Sequence, residues 1–162
     1  MKLINTLLTI LLITLLSSPS WSTPLVDLVN RDGLYYLKFS GVPFTGKVTG
    51  TSQGSLKNGE REGDWVHYWD NGQLKSKGNY TNGKKEGVWV HYWDNGRLSS
   101  KGNMKNGKDD GDWIHYWDNG QLKSKGNYTN GKMEGIWVAF YTNGEPIDNL
   151  TDTFKNGVQI SD

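Results

Sequence analysis

Residues 63–86 read Gly63-Asp-Trp-Val-His-Tyr-Trp-Asp-Asn-Gly-Gln-Leu-Lys-Ser-Lys-Gly-Asn-Tyr-Thr-Asn-Gly-Lys-Lys-Glu86. The same 24 residues return with few changes at 87–110 and at 111–134, and in a more eroded form from residue 135. Self-similarity at a fixed period indicates an array in which one supersecondary unit is repeated and stacked. Fold and function therefore have to be explained from this unit.

Two segments of the unit favour β-strands. Trp65 to Trp69 is rich in aromatic and β-branched residues, residues 73–81 follow, and each segment ends at an Asn-Gly pair. Asn-Gly is the strongest short-range hairpin signal, because Asn tolerates positive φ and Gly adopts it freely. We predict an all-β, elongated, single-layer meander of antiparallel hairpins with a 24-residue repeat. The predicted turn residues are Asn71, Gly72, Asn82, Gly83, Asn95, Gly96, Asn106, Gly107, Asn119, Gly120, Asn130 and Gly131.

The first Asn-Gly pair, taken as a two-residue turn, predicts a register. The facing pairs are Trp69–Leu74, His67–Ser76 and Trp65–Gly78. Tyr80 continues on this face and pairs with Trp89 across a longer second turn at residues 82–87. Because side chains alternate between faces, Val66, Tyr68, Lys75 and Lys77 are expected on the opposite face.

The first 22 residues resemble an export signal. Lys2 is followed by an apolar run, Leu7 to Leu16, and by small residues suited to cleavage after residue 20 or 22. Leu3 to Leu16 is shorter than the ~20 residues that span a bilayer. We predict a signal peptide over residues 1–20 or 1–22 and an exported chain that is periplasmic or secreted.

The composition excludes several kinds of site. The chain has no Cys, so it has neither a disulfide nor a thiolate ligand or nucleophile. Its formal net charge is +1, and loss of Lys2 with the signal leaves equal numbers of bases and acids. This balance argues against nucleic-acid binding.

The sequence divides into a cap and an array. Apolar runs flank Arg31-Asp-Gly33 and predict an N-terminal capping hairpin at residues 23–40. The array is predicted at 41–158, with complete units 63–86, 87–110 and 111–134, degenerate units 41–62 and 135–158, and a tail at 159–162. Pro146 in the last unit discourages edge pairing, although a homodimer through the sheet edges is an alternative.

The motif Trp-x-Asn-Gly-x-Leu-x-x-x-Gly-x-Tyr-x-Asn-Gly-Lys-x-x-Gly-x-Trp, at residues 69–89, resembles the MORN-repeat variant of bacterial proteins called the YwqK-family antitoxins. The resemblance covers about residues 41–158. It implies a meandering antiparallel sheet and a protein-binding or membrane-associated role. A cytoplasmic antitoxin would have no export signal, so the resemblance does not fix partner or compartment.

Neither catalysis nor a metal is predicted. His67, His91 and His115 occupy equivalent positions, but two strands per unit place them ~10 Å apart, whereas ligands of one zinc ion lie ~2 Å from it. Each His is expected to pack between two Trp, with a hydrogen bond to the facing Ser76, Ser100 or Ser124. Asp70, Asp94 and Asp118 precede Asn-Gly and are interpreted as turn caps. We predict a non-enzymatic chain without a cofactor.

Aromatic and basic residues supply two candidate surfaces. The first is a candidate binding face whose individual Trp residues are interpreted first as the core of a thin sheet, an interpretation compatible with binding by the face as a whole. It consists of Trp65, His67, Trp69, Trp89, His91, Trp93, Trp113, His115, Trp117 and Trp137. The second is a candidate headgroup or partner strip on the other face, which a solvated surface explains adequately and for which headgroup binding is the alternative. It consists of Tyr68, Lys75, Lys77, Tyr92, Lys101, Tyr116, Lys123 and Lys125.

Two functional hypotheses follow. The first is a non-catalytic exported protein that binds another protein. This partner is either a toxin, which an antitoxin or immunity-type protein would occlude, or a component of the cell envelope. The second is an aromatic repeat module that binds cell-wall glycans or membrane headgroups, because arrays of aromatic hairpins can cage choline.

Overall fold

The computed structural model describes residues 22–160, without the side chains of residues 148–151. Most of the predicted signal peptide, residues 1–21, lies outside this range. In the described part of the chain, no helix is sufficiently long and apolar to cross a lipid bilayer.

Residues 22–160 form fourteen short strands and one 3₁₀ turn, Leu25–Asp27. The strands before the complete units are β1 Ser22–Pro24, β2 Leu28–Arg31, β3 Leu34–Leu37, β4 Gly46–Thr49 and β5 Ser52–Lys57. Those of the repeated units are β6 Glu60–Tyr68, β7 Leu74–Thr81, β8 Lys84–Tyr92, β9 Leu98–Lys105, β10 Lys108–Tyr116, β11 Leu122–Thr129 and β12 Lys132–Phe140. The last are β13 Pro146–Lys155 and β14 Val158–Gln159.

Twelve strands form one sheet. Its order is β1-β4-β5 and then every strand in sequence to β14, and β1 is the one strand that pairs in parallel. Strands β2 and β3 form a separate antiparallel hairpin. The predicted all-β meander of hairpins with a repeat of about 24 residues is confirmed.

The first turn of the unit differs from the prediction. Strand β6 ends at Tyr68, the Trp69 N–H donates to Gln73 O (2.8 Å), and the Gly72 N–H donates to Trp69 O (2.9 Å). Gly72 has φ +82°, so the loop is the three-residue type in which a left-handed glycine closes the hairpin. Leu74 pairs with Tyr68, and the predicted Trp69–Leu74 pair is wrong.

Asn71 is used for its side chain in this turn. Its Oδ1 accepts the Gln73 N–H (3.0 Å), and its Nδ2 donates to the carbonyl of Asp94 in the next unit (2.8 Å). The equivalent Asn95 and Asn119 repeat both contacts. Asn therefore stabilises its own loop and joins neighbouring turns into a ladder.

The second turn is the two-residue one. Asn82 and Gly83 have φ +48° and +73° between the paired Thr81 and Lys84, as a tight hairpin with two left-handed residues requires. The predicted Tyr80–Trp89 pair is wrong, because Tyr80 pairs with Lys85. The extra residues of β8 are accommodated by a bulge at Gly87 (φ +67°), where the register shifts opposite Gly78.

Each strand indole lies over a glycine of the preceding strand. The predicted pairs Trp65–Gly78 and His67–Ser76 are confirmed. A Cβ atom on Gly78, however, would lie 2.3 Å from Cδ2 of Trp89, and the expectation that it would meet Trp65 is wrong. Trp65 instead lies over Gly54, because the indole reaches back across the strand before its own.

Candidate functional site

Indoles and imidazoles alternate in one continuous stack along the sheet. Successive ring centroids are 5.8–6.4 Å apart, and the ring planes are tilted by 17–29°. We call the side of the sheet that carries this stack the stacked face. In order, the rings are Trp65, His67, Trp89, His91, Trp113, His115 and Trp137.

The strand indoles of the stacked face form the core. Trp65 and Trp89 are 0% exposed, and Trp113 and Trp137 are also buried. Tyr80 packs edge-on against Trp89, with centroids 5.1 Å apart. Trp89 Nε1 donates to Asn79 O (3.2 Å), and each other strand indole makes the equivalent bond. Each strand indole thus lies over a glycine and between neighbouring aromatic rings. These contacts bury indoles that a single-layer sheet would otherwise expose.

The imidazoles are held in their neutral form. His67 Nδ1 lies 2.8 Å from Ser52 Oγ on the preceding strand, rather than bonding to the facing Ser76 as expected. Burial, reinforced by the nearby Arg61, lowers the pKa of His67 to about 4. Burial, followed by the charge of Lys85, lowers the pKa of His91 to about 4. An indole separates successive imidazoles, and within residues 22–160 no three His, Asp or Glu side chains are grouped to hold a metal ion.

The indoles at the turns connect neighbouring units. Trp69 Nε1 donates to Tyr92 O (3.2 Å), and Trp93 and Trp117 make the equivalent bonds to carbonyls 23 residues further along the chain. These indoles are half-buried and lie beyond the ends of the strands. Of the candidate binding face, therefore, the strand residues form the core and the turn residues link the units.

The candidate headgroup strip does not form one surface. Opposite His67 and Tyr68, strand β7 carries one extra residue, Lys75, and the bulge directs its side chain onto Trp69, with Nζ 4.2 Å from the ring centroid. Lys123 lies over Trp117 in the same way, at 4.3 Å. Lys77, Lys101 and Lys125 remain on the opposite face, paired with apolar strand residues. The prediction that Lys75 shares a face with Lys77 is wrong.

A basic cleft opens on the stacked face near the N-terminal end of the array. Its volume is ≈ 570 Å³, and we call it the cationic cleft. Its lining includes Arg61, Lys75, Lys85, Asp70, His67 and His91.

The equivalent cleft near the C-terminal end is smaller, ≈ 320 Å³, and more apolar. It keeps Lys123 and His115, but Met133 replaces Lys85 and Ala139 replaces His91, while Phe154 adds an aromatic wall. We call it the C-terminal cleft. The repeat therefore provides the same pocket in two different chemical forms.

We expect Lys85→Met to be almost silent for folding. The Lys85 ammonium lies 4.2 Å from the Trp89 ring centroid, a contact of about 0.5–1 kcal/mol, but burial opposes its charge and lowers its pKa. Met133 already occupies the equivalent position beside Trp137. The free energy of unfolding measured in urea should change by less than about 1 kcal/mol. A loss above about 2 kcal/mol would show that the two positions are not equivalent.

The opposite face, which we call the open face, carries two equivalent hollows of ≈ 420 Å³ each. Val88 and Ile136, 55% and 63% exposed, project at these hollows. The first hollow is also lined by Asp64, Val66, Lys77, Asn79 and Val90, and the second by Asp112, Ile114, Lys125, Asn127 and Val138.

The apolar residues on the open face were not predicted from the sequence. Equivalent positions 64, 88, 112 and 136 are Asp, Val, Asp and Ile, so apolar residues occur in every second unit. Asn79 and Asn127 donate to the two Asp carboxylates (3.1 and 3.0 Å), which leaves Val88 and Ile136 as the apolar members. This alternation is visible when the repeats are aligned, and it could have predicted the apolar hollows from the sequence.

The fold and the clefts define a class of protein, a β-hairpin repeat array with repeated surface clefts. Within that class, three tandem segments of the chain match the MORN repeat variant, at residues 61–82, 85–106 and 109–130. No curated protein matches the chain. MORN repeats are non-enzymatic modules that generally bind other proteins or membranes.

Proposed function

We propose that this chain is a non-catalytic repeat scaffold that binds another protein through its open face. The observation that carries the proposal is the pair of equivalent hollows at Val88 and Ile136, two exposed apolar side chains of that face. Apolar surface framed by polar side chains is typical of protein-binding sites.

The spacing of the two hollows determines which partner geometry fits the open face. They lie two units apart, which corresponds to about 20 Å when four strand spacings of ~4.8 Å are crossed. Lys77 and Asp64 border the first hollow, and Lys125 and Asp112 border the second. The partner that fits is a protein with two apolar side chains at this separation, surrounded by charges of both signs.

The export signal predicted at the start of the chain supports a partner in the periplasm or outside the cell. An antitoxin or immunity-type role would make the partner a toxin that is neutralised by occlusion, and an envelope component is the other candidate. The glycan hypothesis receives no support from the geometry, because the strand indoles are buried and cannot stack on a sugar ring. The headgroup strip likewise lacks a common face.

Replacing the two apolar residues tests the proposal. Asp stands at the equivalent positions 64 and 112, so Val88→Asp with Ile136→Asp should fold normally and lose the partner. The matched control is Val26→Asp with Val42→Asp, which adds the same charge at exposed residues away from the open face.

Affinity capture from envelope extract should recover a stoichiometric protein with the wild type and with the control, and at least about tenfold less with the open-face variant, as expected when an interface centre is lost. Equal capture by all three proteins, or no stoichiometric capture by the wild type, would contradict the proposal.

A further inference from the structure

The cationic cleft concentrates positive charge that the protein does not neutralise. Arg61, Lys75 and Lys85 line it, and Asp70 is its one acidic lining residue. Within the described residues the only ion pair is Lys38–Asp27, which lies elsewhere. Asp109 in the next unit acts on Lys85 through space but does not reach ion-pair distance. We propose that the cationic cleft binds a ligand that carries two or more phosphate groups.

An indole positions each of the two lysines. The ammonium of each lies 4.2 Å from an indole centroid, Lys75 over Trp69 and Lys85 over Trp89. A cation–π contact orients an ammonium without cancelling its charge, and lysine is a common point-charge ligand of phosphate. Ordering both side chains before the ligand arrives reduces the entropy that binding must overcome.

Arg61 adds a third, fixed charge. Its guanidinium lies 4.8 Å from the Trp65 centroid and donates to the hydroxyls of Tyr80 (3.2 Å) and Tyr35 (2.9 Å). Its buried Nε has no hydrogen-bond partner among the described residues. Arg61 therefore contributes a stationary positive charge to the cleft, and the two lysines supply ammonium donors.

The C-terminal cleft shows what the same pocket looks like without these charges. The positions of Arg61 and Lys85 are there Asp109 and Met133, and of the three bases only the Lys75 equivalent, Lys123, is kept. The array therefore tolerates the loss of the basic residues, so their presence in the cationic cleft is not required by folding. Electrostatic attraction of a multiply charged anion is the property that distinguishes the two clefts.

Calorimetric titration with pyrophosphate at low ionic strength tests the site. The wild type should bind one equivalent saturably, and Lys85→Met should bind at least about tenfold more weakly while keeping its melting temperature. The control is Lys101→Met, which removes the same charge from an exposed position on the open face. It should bind pyrophosphate like the wild type.

A second arm separates a free ligand from a lipid headgroup. Pyrophosphate binding without sedimentation of the protein on phosphatidylcholine vesicles containing phosphatidylinositol bisphosphate supports the site with a free ligand. Sedimentation that Lys85→Met abolishes and pyrophosphate competes away supports it with a headgroup. Absence of saturable binding to either probe, or equal losses in Lys85→Met and Lys101→Met, would overturn the proposal. Neither result depends on the protein-binding role of the open face.

Discussion

Gly78→Val is expected to unfold the array under conditions in which the wild type is fully folded. The new Cβ atom would lie 2.3 Å from both Cδ2 and Cε2 of Trp89 and 2.7 Å from Cγ. The indole cannot move aside, because it is 0% exposed, stacked between His67 and His91, and hydrogen-bonded through Nε1 to Asn79 O. We expect a loss of more than about 4 kcal/mol, the range of a core position that cannot relax, measured by urea denaturation or by expression as folded protein.

Two controls make this prediction specific. Gly41→Val should change stability little, since a Cβ atom at Gly41 meets nothing within 4 Å. Adding Trp89→Leu should recover part of the loss caused by Gly78→Val, whereas adding Trp65→Leu should increase it, because only contacting residues are strongly coupled. A Gly78→Val protein with the same melting temperature as the wild type would show that the register of the sheet is wrong.

Acidification from pH 6.5 to pH 4 is expected to destabilise the fold. Burial lowers the pKa of His67 and of His91 from 6.5 to about 4, and it also lowers the pKa of His115. Between these pH values the unfolded chain binds more protons than the folded chain, so the stabilisation is complete above about pH 6.5 and is lost progressively down to about pH 4. The rings are half-exposed, which reduces the effect to on the order of 1 kcal/mol each, or several degrees in melting temperature.

The variant His67→Ala with His91→Ala isolates the contribution of these rings. Ala139 stands at the equivalent position in the fourth unit, so the substitution is compatible with the fold. Burial raises the pKa of Asp109, which favours the folded state on acidification and acts in the opposite direction. Because the variant lacks two imidazoles with lowered pKa values, its melting temperature should fall less steeply than that of the wild type between pH 6.5 and pH 4. An unchanged pH dependence would contradict the account of the imidazoles.

The sequence was sufficient for the strands, the repeat and part of the register. Aromatic and β-branched residues separated by Asn-Gly pairs predicted the hairpins. The Trp65–Gly78 pairing was predicted from a two-residue turn and is present because the extra residue Lys75 offsets the longer loop. The turn types were exchanged because both turns contain Asn-Gly. Asn82 adopts positive φ, whereas the side chain of Asn71 serves the turn instead, and the dipeptide alone does not distinguish these uses.

The surfaces were less predictable because bulges change which side chains share a face. One extra residue opposite His67 and Tyr68 moves Lys75 onto Trp69, and a shift opposite Gly78 changes which indole covers that glycine. Strict alternation cannot anticipate either effect. The sequence left the indoles as either the core of a thin sheet or a binding face. Stacking against imidazoles buries the strand indoles, while Val88 and Ile136 are exposed on the open face.

Hydrogen exchange of the indole Nε1–H groups, followed by NMR, tests the central claim that the stacked face is the core of the sheet. Trp65, Trp89, Trp113 and Trp137 are buried and donate to strand carbonyls, so their exchange should require opening of the array and be strongly slowed. Exchange of these four groups at the rate of a free indole would show that the stacked face is exposed to solvent, and would contradict the account.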